Sequence, residues 1–63
     1  MTVTSDVKAC LAALKGAQAS LELFALETEN QYAKSKFAHA AQQTDLVVQK
    51  LQSRLGQLEQ DES

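Results

Sequence analysis

The sequence predicts an all-α protein, an antiparallel helical hairpin that dimerises into a four-helix bundle. Three observations predict it. Alanine, leucine, glutamine and glutamate dominate the 63 residues and proline is absent, a mixture that favours helix nearly everywhere. Apolar residues recur at steps of three and four in two stretches, Val7 to Thr28 and Ala33 to Leu58. Between the two, the apolar stripe jumps by about two-fifths of a turn, so one unbroken helix would show its greasy halves on different sides.

The first helix is expected over about residues 5–27, after a loose start. Thr4 or Ser5 suits its N-cap, and Asp6 suits the positive end of its dipole. Val7, Cys10, Leu14, Ala17, Leu21, Phe24 and Thr28 form a heptad-like seam. Cys10, the single cysteine, cannot form an internal disulfide and reads as a buried, inert packing residue. An adjoining face is made of small residues, Ala9, Ala12, Ala13, Gly16, Ala19 and Ser20, which would let another helix approach closely. Gly16 costs about 1 kcal/mol in a helix interior relative to Ala, and close packing is one reason to tolerate it. The plainer alternative, that alanines are simply good helix formers, stays open.

The chain reverses between Thr28 and Gln31, with Asn30 as the cap of the second helix or Thr28 and Gln31 as a capping box. The second helix is expected over about residues 31–59. Its stripe is Ala33, Phe37, Ala40, Thr44, Val47, Val48, Leu51, Leu55 and Leu58, and the Thr44 hydroxyl can bond back to a carbonyl one turn earlier. Leu46 lies alone on the wet face, which makes it the first residue to examine for partner contact. The acidic tail to Ser63 faces the negative end of the dipole and should fray.

Antiparallel packing in which level residues sum to about 58 would bring Asp6 near Arg54, Lys15 near Asp45 and Glu22 near Lys34. Such surface pairs set register more than they stabilise. Two helices alone cannot enclose a core, so a homodimer or higher homo-oligomer is expected, or a different protein covering the open side. Val7, Leu14, Leu21, Phe24, Phe37, Thr44, Val48, Leu51, Leu55 and Leu58 are the residues assigned to that core and interface. A bundle of small residues enclosing a ligand cavity is a further alternative.

Function classes fall away quickly. The net charge is -2 and the six basic residues are scattered, so nucleic-acid binding is not expected. The N-terminus lacks the basic start and apolar run of a signal peptide, and no stretch approaches the roughly 20 apolar residues of a transmembrane segment. The default compartment is the cytoplasm. His39, the one histidine, falls on the polar side without the partners that helical metal sites use. Glu27, Glu29, Glu59, Asp61 and Glu62 sit at helix ends or in the tail, not in a pocket suited to acid–base chemistry. No catalytic residue, metal ligand or cofactor is expected, and the protein reads as non-enzymatic.

The order of Ser5-Asp6-Val7-Lys8, Leu11 to Leu21, Phe24 to Thr28, Asn30-Gln31, Ala33-Lys34, Ala40 to Thr44, Leu51, Arg54 and Leu58-Glu59 resembles the family catalogued as domain of unknown function 1657. The resemblance covers about Thr2 to Asp61. It implies endospore-forming bacteria, expression linked to sporulation, a forespore or spore-interior location, and a neighbourhood of spore membrane-protein complexes. It implies no activity, cofactor or catalytic residue. The leading expectation is a helical protein–protein interaction or structural module. The alternative is a peripheral, lipid-binding pair of amphipathic helices, against which stands a wet face rich in Gln and acids instead of Lys and Arg.

Overall fold

The computed structural model describes residues 2–62. Two helices, α1 (Val3–Glu27) and α2 (Gln31–Glu62), fold back on each other as an antiparallel hairpin. The Cα envelope measures 48 × 18 × 10 Å, a slab one helix thick.

Both helix starts have a side-chain cap. At α1 the cap is Thr2, earlier than the Thr4 or Ser5 that the sequence suggested, and its Oγ1 accepts from the Ser5 N–H at 3.1 Å. Thr4 is thereby drawn inside the first turn and buried. At α2 the Asn30 alternative is realised, with Asn30 Oδ1 accepting from the Ala33 N–H at 2.9 Å. The reversal needs no glycine. Thr28 is extended, with φ -73° and ψ 139°, and its N–H still closes the last turn of α1 on the Phe24 carbonyl. α1 has no basic residue in its own last turn. Lys34 of α2 supplies the cation instead, its Nζ donating to the Ala25 carbonyl at 2.6 Å where the dipole is negative.

The seam differs in phase from the expected one. On α1 the inward positions are Thr4, Val7, Leu11, Leu14, Gln18, Leu21, Ala25 and Thr28. Cys10 and Ala17 are exposed and Phe24 is 45 % exposed, so Cys10 is not the buried packing residue the sequence suggested. On α2 the inward positions run Lys34, Phe37, Ala41, Thr44, Val48, Leu51, Leu55 and Leu58, while Val47 points out. Ala41 is buried more deeply than the expected Ala40. The Thr44 hydroxyl donates to the Ala40 carbonyl at 2.8 Å, as its mid-stripe position required.

The register also shifts. Phe24 stacks on Phe37 at 5.5 Å, Gln18 reaches Asp45 and Lys34 reaches Ala25, so level residue numbers sum to between 59 and 63, above the expected 58. This spacing sets small against large, with Ala25 level with Phe37 and Ala41 level with Leu21, which is how helices approach without voids. The three expected charge pairs do not form. Asp45 accepts from Gln18 and Gln49, Glu22 accepts from Gln18, and Arg54 donates to Gln57. α2 runs on as helix past residue 59, through Glu62.

Candidate interaction surface

A hairpin one helix thick has two broad flanks beside its seam, and here they differ in chemistry. One flank carries a polar network. Gln18 Nε2 lies 3.2 Å from both Glu22 Oε1 and Asp45 Oδ1, and Gln49 Nε2 donates to Asp45 Oδ2 at 2.9 Å. Gln18, Glu22 and Asp45, with Lys34, Gln42 and the apolar Ala25, Leu26, Ala38 and Ala41, line an open groove of about 540 Å³ whose surface is more apolar than polar. The small residues Ala9, Ala12, Ala13, Gly16 and Ala19 are not among its walls.

The other flank is apolar. Val3, Cys10, Ala17 and Phe24 follow one another along α1 at intervals of seven, and Ala33, Ala40 and Val47 do so along α2. In antiparallel helices these two rows lie side by side. Val3 is 61 % exposed, Val47 50 % and Phe24 45 %. The Phe24 ring tilts at 60° over Phe37, a contact that anchors the flank at the turn end of the hairpin.

The outer edges are different again. On α1 the edge carries Ala9, Ala12, Ala13, Gly16 and Ala19, all exposed, and a Cβ on Gly16 would meet nothing within 4 Å. Among the described residues, then, nothing packs on the small-residue face within one chain. On α2 the edge is polar apart from Leu46 and Tyr32, both well exposed, and it carries the exposed His39. Among the described residues no three His, Cys, Asp or Glu side chains gather where they could hold a metal ion.

The hairpin's own core is thin. Among the described residues Leu11, Ala41 and Val48 are the buried apolar side chains and none of them is completely enclosed. Of the residues assigned to core and interface from the sequence, Val7, Leu14, Leu21, Phe37, Thr44, Val48, Leu51, Leu55 and Leu58 all face the seam, and Phe24 borders it. Thr4, Leu11, Gln18, Ala25, Lys34 and Ala41 were missed. A strict alternation of three and four that starts at Thr4 would have found Leu11 and Gln18.

The family model for proteins of unknown function, DUF1657, matches residues 7–55, most of the chain. The chain belongs to the DUF1657 family. No curated protein and no solved structure matches it. The matched span of this DUF1657 chain covers the seam from Val7 to Leu55 and both flanks beside it. By length and composition α1 is also long and apolar enough to cross a membrane, contrary to the expectation that no stretch approaches the roughly 20 apolar residues this takes, and almost none of that stretch is buried within the chain.

Proposed function

We propose that this DUF1657 protein is a non-enzymatic helical interaction module, a half-bundle whose apolar flank is completed by another protein chain. The observation that carries the reading is the mismatch between core and surface. Among the described residues three apolar side chains are buried, while Val3, Leu23, Phe24, Leu26, Tyr32, Leu46 and Val47 are all substantially exposed. A 63-residue chain with so small a core is marginal on its own, and association is the usual remedy. Dimerisation into a four-helix bundle is the simplest completion, since it covers one flank of each hairpin at once. The family resemblance supports a sporulation setting beside spore membrane proteins.

The test is dilution. Helical ellipticity at 222 nm, followed from about 100 μM to the sub-micromolar range, should fall as the complex dissociates, because partner binding and folding are linked by mass action. A monomer that keeps its full helicity and cooperative melt at the lowest concentration would end the half-bundle reading.

A second reading, a helix pair lying on a membrane, has one observation in its favour, the length and apolar composition of the largely unburied α1. Co-sedimentation with liposomes separates the two. Pelleting of the purified protein favours the membrane, and a soluble, concentration-dependent oligomer favours the module.

A further inference from the structure

We propose that the occupant of the apolar flank is a second copy of this chain, related by a two-fold axis parallel to the helices, so that α1 of each copy lies on α2 of the other. This rests on the half-bundle reading and names its partner, its face and its axis.

Area is the first argument. The chain exposes 4662 Å². A compact monomer of 6.9 kDa exposes about 4,000 Å², so the slab carries a surplus of roughly 650 Å². A stable dimer covers roughly 800 Å² on each partner, close to that surplus. The flank between the Val3–Phe24 row and the Ala40–Val47 row can give up that area without breaking into a hydrogen-bonded side-chain network among the described residues. The opposite flank holds the Gln18–Asp45 network.

Charge is the second argument, and it selects the axis. The rim of the apolar flank on α1 is acidic, with Asp6 near one end and Glu27 near the other. The rim on α2 is basic, with Lys36 and Lys50 spaced along it and Arg54 in the flank row itself. Asp61 lies past the level of Val3, beyond the overlap. No hydrogen bond within the chain engages the Asp6 or Glu27 carboxylate among the described residues. With level residues summing to about 61, a two-fold along the helices sets Asp6 beside Arg54 of the partner subunit and Glu27 beside Lys36 of the partner subunit. A two-fold across the helices would lay α1 on α1, with Asp6 against the partner's Glu27 and Arg54 against the partner's Lys36. Like charges are then apposed at both ends, and complementarity decides between the two arrangements.

An isologous interface meets every substitution twice, which makes it sensitive to single changes. Sedimentation equilibrium should give the wild-type chain the mass of two chains. Val47→Glu and Ala17→Glu, one on each helix and both at exposed positions, should each raise the dimer dissociation constant at least about tenfold by burying unpaired carboxylates. Leu46→Glu, one residue away on the outer edge, should leave it unchanged. Asp6→Lys with Glu27→Lys should weaken the dimer, and adding Lys36→Glu with Arg54→Glu in the same chain should restore it. Ellipticity of each variant at high concentration shows that it still folds.

Other outcomes overturn the proposal in distinguishable ways. A dimer broken by Leu46→Glu but not by Val47→Glu or Ala17→Glu places the contact elsewhere and leaves the half-bundle reading standing. A charge swap that fails to restore the dimer rejects the axis. A wild-type chain that is monomeric and unfolded when pure has another protein as its partner. One that is monomeric and fully helical at high dilution overturns both readings. A monomer that pellets with phosphatidylcholine–phosphatidylglycerol vesicles assigns the flank to a membrane.

Discussion

Leu11→Ala, set beside Cys10→Ala, measures which face of α1 is the seam. Leu11 is 8 % exposed, so nearly all of its side chain is withdrawn from water, whereas its neighbour Cys10 is exposed. Removing three carbon groups at about 0.8 kcal/mol each forfeits about 2.4 kcal/mol of transfer free energy. The cavity contribution should be small, because the seam of a two-helix slab opens to solvent and can collapse. Ala is the better helix former by roughly 0.2 kcal/mol, which leaves a net loss of about 2 kcal/mol. At 0.05 to 0.15 kcal/mol per residue the whole chain is stable by only about 3 to 9 kcal/mol. The loss is therefore a large share of the total, equivalent to a fall in melting temperature of roughly 8 to 16 °C. Cys10→Ala removes a single sulfur from a position exposed in the hairpin and set in the flank proposed to be covered, so it should cost about 1 kcal/mol at most, no more than half the loss at Leu11. Urea titrations followed at 222 nm, at one fixed protein concentration, give both values. Equal losses, or a larger loss at Cys10, would refute the seam described above and return α1 to the phase that apolar counting suggested.

Three further outcomes are expected. Asn30→Ala should cost about 1 kcal/mol, because the Ala33 N–H loses its 2.9 Å acceptor; an unchanged urea midpoint would mean the cap is idle. Gly16→Ala should stabilise by up to about 1 kcal/mol, since the new methyl meets nothing within 4 Å; destabilisation would instead show another helix packed on that edge. A double-mutant cycle of Gln18→Ala and Asp45→Ala should return a coupling of about 0.5 to 1 kcal/mol for their 3.2 Å bond, and additivity would mean the bond contributes nothing.

Much of the hairpin was legible in the sequence, and the reason is local chemistry. The phase jump between Thr28 and Ala33 required a break without any glycine or proline to mark it, and Asn30 offered the cap that the structure uses. Thr44 was legible for a similar reason, since a hydroxyl in an apolar stripe has the carbonyl one turn back as its nearest acceptor. The start of α1 was less so. Thr2, Thr4 and Ser5 are all competent caps, and the choice of Thr2 depends on Thr4 entering the seam, which is a tertiary preference. Register was illegible for the same reason. Charge pairs favoured one alignment by less than small-against-large packing favoured another, and packing is worth more than exposed ion pairs.

The error in the seam of α1 is itself informative about the surface. Counting apolar side chains on a helical wheel finds the mean direction of hydrophobicity, which coincides with the buried direction only when a helix has one neighbour. Val7, Leu14 and Leu21 lie on both the expected seam and the observed one. The expected seam adds Cys10, Ala17 and Phe24, and the observed one adds Leu11, Gln18 and Ala25 in their place. The mean direction therefore lies between the seam and the apolar flank, as it should if the helix has evolved against two neighbours and the hairpin shows only one. Val47 beside Val48 repeats the pattern on α2, one residue 50 % exposed and the next 4 %. A helix pair selected to stand alone would have no physical reason to carry that second direction on both helices and on the same side. Gln18 at a seam position points the same way: its amide reaches Asp45, so covering that flank would strip water from a bonded polar pair, a cost the row of Val3, Cys10, Ala17 and Phe24 does not carry.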